Sequence, residues 1–379
     1  MKRTGLDYLP ALAGIVVIAA VFGVLSEHFL SPENLTNLLL QMVPTGTISL
    51  GIIMVLLLGE IDLSAGSVSG LTAVVMAVLT AHHHLPVALA VAAAVAAGTV
   101  IGVLHGLIFA RLGVPSFIIT LAGLIGWQGL LLYLLRRGGT INLPFTGFVA
   151  RLSDTWLPPW LSWALLVGSL AAWAAATVLV RRLRVGAGLP VAPAWRAALP
   201  LGVVGLVLTA GLVTLSADRG VPLLLVIFAT LVVALDLALR HTVVGQHMLA
   251  IGGNVEAARR AGINVTGVRV LAFATCSTLA AIGGILAASR LAAVNQSSGG
   301  SDILLMAIAA AVIGGVSLFG GRGSAYAALL GILVIQSITN GMLLLNVDSS
   351  VRLMVTGVVL AVAVAADSLA GRSRMARTI

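Results

Sequence analysis

Two carboxylates, Glu60 and Asp62, lie with Ser64 between Gly59 and Gly66 in the stretch Gly59-Glu-Ile-Asp-Leu-Ser-Ala-Gly-Ser67, and apolar runs flank it on both sides. An acid beside an apolar run is costly to bury unless it is paired, hydrogen-bonded or wetted, so it marks either a pathway or a structural break. The chemistry on offer is hydrogen-bond acceptance. The donors would be backbone N–H groups freed where glycine interrupts a helix, or the hydroxyls of a polar solute. The residues favour the break over direct solute contact. Nucleophilic chemistry is excluded by spacing: Gly66-Ser-Val-Ser-Gly70 does not place a serine as G-x-S-x-G requires, and no histidine lies in an obvious partner position. A single cysteine, Cys276, inside an apolar run, excludes a disulfide within the chain or a thiolate cluster. His82, His83 and His84 are consecutive, so their side chains diverge, and no carboxylate is close in sequence. The chain is read as neither an enzyme nor a metal or cofactor binder.

The second polar feature is an island from Gly252 to Val265, Gly-Gly-Asn-Val-Glu-Ala-Ala-Arg-Arg-Ala-Gly-Ile-Asn-Val. It predicts a short helix of about seven residues. Asn254 caps it, Glu256 occupies the first turn, Arg259 and Arg260 the last, and Gly262 takes the left-handed position beyond its end, so that the charges match the helix dipole at both ends. Val255, Ala258 and Ala261 share one face, which leaves the charged face, with Ala257 and the flanking Gly252 and Gly253, free for a partner or for water. The only lysine in the chain is Lys2, whereas a phosphate-binding P-loop needs a lysine after its glycine-rich turn. Nucleotide-driven work would therefore have to arrive from another subunit.

The elements that carry these sites are membrane spans. Sixty per cent of the residues are hydrophobic and 9% charged, with a mean hydropathy of +1.14, which is too little polar surface for a water-soluble globule of this length. Apolar runs long enough to cross about 30 Å of hydrocarbon recur at about 9–26, 44–58, 63–81, 85–110, 115–135, 157–180, 197–217, 220–239, 269–288, 303–319, 324–345 and 353–370. The expected fold is an all-α polytopic helical bundle of about 12 spans (10–12), in one domain over 1–379, with a connecting loop at 240–268. The first run follows Lys2-Arg3, but no small-x-small cleavage site follows it, so it is read as a retained helix rather than a signal peptide.

With both termini cytoplasmic, 15 of the 21 Lys and Arg residues fall inside and six outside, in agreement with the positive-inside rule. The net charge of +9 is thus a topology signal and calls for no nucleic acid. A faint echo, Gly59-x-x-x-Leu63-x-x-Gly66 and Gly314-x-x-x-Leu318-x-x-Gly321, suggests two related halves with glycine-interrupted segments at matching positions, Gly315 and Gly320 belonging to the second. Gly98, Gly102 and Gly106, four apart, form a small-residue face for close helix packing.

Four segments together resemble the permeases of ribose/xylose-type bacterial ABC sugar importers. Ala250 to Val265 resembles their coupling-loop motif, and Glu60-Ile-Asp-Leu-Ser-Ala-Gly-Ser67 their acidic signature. Val114-Pro-Ser-Phe-Ile-Ile-Thr-Leu-Ala-Gly123 and Ala309-Ala-Ala-Val-Ile-Gly-Gly-Val-Ser-Leu-Phe-Gly-Gly-Arg-Gly323 resemble two further family segments. The likeness covers essentially the whole chain. It is nearest to the xylose-type members through Glu60, an inserted helical pair at about 197–239, and Arg219-Gly-Val-Pro222 at its turn. Leu304-Leu-Met306 and His105 depart from common family residues, and those departures bear on sugar identity.

The resemblance implies a permease in the bacterial cytoplasmic (inner) membrane that passes a monosaccharide, a pentose such as xylose favoured, into the cell. Its implied partners are an ABC ATPase that uses ATP and Mg, an external or periplasmic sugar-binding protein, and a second permease copy forming a homodimer. Residues 252–254, 256–260 and 262 would then be the coupling segment. An ion-coupled secondary transporter working through Glu60, Asp62 or Asp236, or a permease for another small polar solute, is the alternative.

Overall fold

The computed structural model describes residues 9–145 and 147–375. The elements in chain order are α1 (Leu9–Leu25), α2 (Pro32–Leu56), α3 (Ala65–Ala81), α4 (Val87–Leu112), α5 (Ser116–Leu135), β1 (Thr140–Asn142), α6 (Phe148–Ser153), α7 (Pro159–Gly186), α8 (Trp195–Ser216), α9 (Leu223–His241), α10 (Val243–Gly253), α11 (Val255–Arg260), α12 (Val265–Leu291), β2 (Ala293–Asn295), α13 (Ser301–Ile313), α14 (Ala325–Leu344) and α15 (Ser349–Met375). Helix ends follow local chemistry. Ser31 accepts from the Asn34 amide at 3.2 Å with Pro32 in the first turn of α2, and Gly113 turns left-handed after α4 just ahead of Pro115.

The chain is a polytopic helical membrane protein. Among the described residues, eight helices have the length and composition to cross a bilayer, namely α2, α4, α5, α7, α8, α9, α12 and α14. The other four sequence intervals fall on shorter apolar helices: α1, α3, α13 and the first half of α15. Two boundaries differ from expectation. The run expected to start at 44 begins at Pro32, because the polar residues that mask it find partners inside the fold: the Asn34 and Asn340 amides exchange hydrogen bonds of 2.9 and 3.0 Å, and Gln336 donates to Gln41 at 2.9 Å. The run expected over 303–319 is helical only to Ile313, since Gly315, Gly320 and Gly321 adopt positive φ. At 1.5 Å per residue α13 spans roughly 20 Å, short of a crossing by itself. The termini that set the expected orientation, 1–8 and 376–379, lie outside the described residues.

At the centre, α2, α3 and α12 are the most enclosed helices, whereas the apolar window of α7 has no buried residue. Large apolar side chains such as Trp160, Leu206 and Val207 point outward. Such a surface is unlike that of a water-soluble protein and suits a chain that lies in a bilayer. Close approach at the centre depends on missing side chains. A Cβ on Gly98 would stand 2.7 Å from that of Ala281, one on Gly106 2.7 Å from the Val270 Cα, and one on Gly51 2.6 Å from the Cys276 carbonyl. The small-residue face of α4 thus lies on α12, and Cys276 is buried as packing.

Candidate functional site

The polar island forms the helix its residues dictate. Asn254 Oδ1 accepts from the Ala257 amide at 2.9 Å, Glu256 opens the helix and Arg259 and Arg260 close it, and Gly262 has φ +81°. The helix α11 is six residues long. Ala258 is buried and Val255 half-buried, while Ala261, expected on the same face, is exposed. Glu256, Ala257, Arg259 and Arg260 all face out, and Glu256 pairs with Arg259 at 2.9 Å with both side chains more than 60% exposed. Immediately beyond, Asn264 caps α12 by accepting from the Gly267 amide at 2.9 Å. The loop at 240–268 also contains a second helix, α10, capped by Thr242, which the sequence does not announce.

The island is joined to both glycine-interrupted segments. A Cβ on Gly252 would collide with the Leu57 carbonyl and the Gly321 amide nitrogen, whereas one on Gly253 would meet nothing within 4 Å. A Cβ on Gly320 would lie 2.7 Å from the Gly59 nitrogen and 2.9 Å from the Gly252 carbonyl oxygen. The Gly321 amide donates to the Leu57 carbonyl at 2.9 Å. Gly59, Gly320 and Gly321 have φ of +78°, +82° and +71°, a region open to glycine at little cost. Three chain segments therefore meet backbone to backbone: the end of α2, the end of α10 and the loop before α14. Gly314 and Gly315 lie one step away, Gly314 ending α13 against the Ala327 carbonyl of α14 and Gly315 turning with φ +93°. The two echoed motifs match in position, each bridging a helix end and the next helix start, but not in conformation, since Gly314 has φ −68° where Gly59 has +78°.

Each acid has a partner within the chain, although one oxygen each of Asp62 and Asp236 is buried without a hydrogen bond. Glu60 accepts from the Ser116 hydroxyl at 2.7 Å, at the start of α5, and from Arg269 of α12 at 3.3 Å, each member of the ion pair about one-fifth exposed. The Arg269 guanidinium also lies 4.5 Å from the Phe109 ring of α4. Glu60 thus ties the break after α2 to the first turns of α5 and α12. Asp62 is 1% exposed, and one oxygen accepts from the Ser64 amide at 2.8 Å and the Ser64 hydroxyl at 2.6 Å. Ser64 lies 3.3 Å from His105 Nδ1, and Trp127 donates to His105 Nε2 at 3.1 Å. Because the indole N–H can only donate, Nε2 is the acceptor and Nδ1 carries the proton of the neutral ring, which gives a polarised chain from Trp127 through His105 and Ser64 to Asp62. Gly66, next to this chain, lets the carbonyl of Gly299 approach, since a Cβ there would stand 3.0 Å from that oxygen. Asp236 pairs with Arg240 one turn on, at 2.6 Å.

Two further features depend on pairing between distant segments. The strands β1 and β2 pair antiparallel, Ile141 opposite Val294, and tie the segment after α5 to the one after α12. At the turn between α8 and α9, Arg219 lies 4.6 Å from the Trp156 ring and donates to Asn37 at 2.8 Å. Arg219-Gly-Val-Pro222 was visible as a motif, but its partners are distant in sequence.

A family model described as "Branched-chain amino acid transport system / permease component" matches residues 34–364. The chain is 33% identical over 375 residues to the xylose transport system permease protein XylH of Haemophilus influenzae, covering 97% of this chain and 98% of that protein. It is likewise 33% identical to XylH of Escherichia coli strain K12, over 98% of this chain and 94% of that protein. To the ribose import permease protein RbsC of Escherichia coli strain K12 it is 30% identical, over 94% and 92%. No solved structure matches the chain.

Proposed function

The chain belongs to the family of branched-chain amino acid transport system permease components, and on that premise we propose that it is the membrane subunit of an ATP-driven importer that passes a monosaccharide, a pentose such as xylose favoured, from an external binding protein into the cytoplasm. The family description names amino acids, whereas the relatives that align over nearly the full length are permeases for xylose and ribose, and that coverage supports the sugar reading. The protein resides in the bacterial inner membrane. It works as a transport subunit, with ATP and Mg handled by a partner ATPase. The complete machine would hold two copies of this chain, and twelve crossings would bring both termini to the cytoplasmic side.

One observation carries the mechanism: α11 displays Glu256, Arg259 and Arg260 to solvent, while Gly252, just upstream, is packed backbone to backbone against Leu57 and Gly321. An ATPase that engages the charged face and closes on ATP would push α10 and α11 as a rigid pair. Packed interfaces shift between discrete arrangements rather than deforming continuously, so the push reaches the end of α2 and the loop before α14 without a soft side chain between them. Asn264 carries it in parallel to α12. Of the three acids that an ion-coupled alternative could use, Glu60 and Asp236 are paired with arginine, whereas Asp62 is hydrogen-bonded through one oxygen to Ser64 and has no arginine partner. The reading is tested by reconstituting the protein with its ATPase and binding protein and measuring ATP hydrolysis across pentoses and hexoses. Stimulation by pentose-loaded binding protein is expected; no stimulation by any sugar would sink the assignment.

A further inference from the structure

Helices α7 and α8 form an antiparallel hairpin that is buried at one end only. Their buried residues, Ser162 of α7 and Leu212 and Leu215 of α8, lie where α7 begins and α8 finishes, and no residue from 171 to 211 is buried. A Cβ on Gly205 would stand 3.5 Å from the Leu170 side chain, which sets the register of the pair. Continuing from that contact along both helices brings Val180 level with Trp195, so Arg181, Arg182, Arg184 and Arg196 share the open end of the hairpin. Arg181 is committed to the fold: it donates to the Ala192 carbonyl at 2.9 Å and ties the connecting loop to α7. Arg182, Arg184 and Arg196 are exposed. No acid occurs between Asp154 and Asp218, and the ion pairs among the described residues engage Arg219, Arg240, Arg259 and Arg269 instead.

Depth and shape state what would compensate this charge. At 1.5 Å per residue, Trp160 and Arg181 of α7 stand roughly 32 Å apart along the helix axis, as do Trp195 and Ser216 of α8, which matches a hydrocarbon core of about 30 Å. The exposed Trp160 and Trp163 then mark one interface, and the exposed Trp195 with the arginines the other, at the level of the headgroup phosphates. The Arg196 guanidinium lies 5.4 Å from the Trp195 ring centroid, a pairing of apolar body and charged tip that suits this boundary. From there an open groove runs along α8, lined by Trp195, Ala198, Leu199, Gly202, Val203 and Leu206. These positions recur at three and four residues and form one stripe. A Cβ on Gly202 would meet nothing within 4 Å, so no other element covers the groove at that point. An apolar stripe that leads into exposed arginines at phosphate depth matches an acyl chain and an anionic head. Guanidinium binds phosphate through two parallel hydrogen bonds, whereas the cation of a zwitterionic head would be repelled by the cluster. A second copy of the chain packed here about a two-fold axis would set arginine against arginine.

We propose that the open end of the α7–α8 hairpin binds an anionic phospholipid, its phosphate among Arg182, Arg184 and Arg196 and an acyl chain in the groove of α8. The proposal is independent of the cargo. The test uses the full chain, stripped of lipid in detergent and offered equal amounts of phosphatidylglycerol and phosphatidylcholine with matched acyl chains. Native mass spectrometry then counts the lipids retained and the protomers present. One variant combines Arg182→Gln, Arg184→Gln and Arg196→Gln. A control makes the same change of charge elsewhere with Arg111→Gln, Arg136→Gln and Arg151→Gln, all exposed positions. A third variant, Gly202→Phe, fills the groove. A thermal melt matching wild type shows that each is folded, and Gly202→Leu replaces Gly202→Phe if that one is not. Each arginine near an anionic lipid surface contributes about a fivefold factor. Wild type and control are therefore expected to prefer phosphatidylglycerol by about tenfold or more, and the hairpin arginine variant to hold the two lipids about equally. The filled groove should lower retained phosphatidylglycerol several-fold, and excess inorganic phosphate should not displace it from wild type. No preference in wild type, a preference that survives the hairpin arginine variant or vanishes equally in the control, or full retention with the groove filled would each overturn the proposal. Displacement by inorganic phosphate would overturn it in favour of a free anion, and a fall in protomer number with the lipid preference intact would do so in favour of a second copy.

Discussion

Gly252 and Gly253 are neighbours at the end of one helix with opposite surroundings, and this contrast gives the sharpest mutational test. In Gly252→Ala the new methyl meets the Leu57 carbonyl and the Gly321 amide, two backbone atoms that cannot rotate away, so the three-segment junction has to open. Overpacking of this kind costs about 1–3 kcal/mol. Opening also strains the 2.9 Å bond from the Gly321 amide to the Leu57 carbonyl, whose net worth is about 0.5–1.5 kcal/mol. A total of about 1.5–4.5 kcal/mol, with each 1.4 kcal/mol a factor of ten in an equilibrium, is enough to depopulate the packed junction. Gly253→Ala introduces a methyl into open space and is expected to stay within about 0.5 kcal/mol of wild type. The assay is sugar uptake and binding-protein-stimulated ATP hydrolysis in proteoliposomes at matched protein amounts. Gly252→Ala should lose most of both while the complex still assembles, and Gly253→Ala should keep both. Equal behaviour of the two variants, whether both active or both dead, would refute the junction as the route of transmission.

Charge reversal on α11, Glu256→Arg or Arg259→Glu, should leave stability within about 0.5 kcal/mol, because both side chains are largely exposed, yet should abolish stimulated ATP hydrolysis; wild-type uptake by such variants would remove the docking role. Glu60→Gln leaves Arg269 partly buried without its ion pair, and thermal unfolding in detergent should report a loss of about 1–3 kcal/mol, reduced from the fully buried case because both groups are about one-fifth exposed; adding Arg269→Met should recover part of it. Asn34→Ala or Asn340→Ala strands a buried amide, and a double-mutant cycle over the pair should show a coupling of about 0.5–3 kcal/mol.

The short helix α11 could be read from sequence because everything that defines it is local: a capping Asn254, acid before base, and Gly262 past the end. The helices were legible for the same reason, as apolar runs of sufficient length. What escaped depends on partners far along the chain. The early turns of α2 read as polar until Asn340 and Gln336 appear opposite Asn34 and Gln41. Gly59 and Gly320 read as helix interruptions and Gly252 as part of the polar island, and nothing in any one of them states that their backbones meet. Glu60 read as a possible solute ligand, whereas Ser116 and Arg269 occupy its oxygens.

The proposed function has work entering this chain from a nucleotide-driven partner at α11. It is tested most directly by sugar uptake into proteoliposomes containing the permease, the ATPase and the binding protein, with ATP and a protonophore varied independently. Uptake should require ATP, survive the protonophore and be lost in Arg259→Glu. Uptake that proceeds without ATP or ATPase and collapses with the protonophore would contradict it.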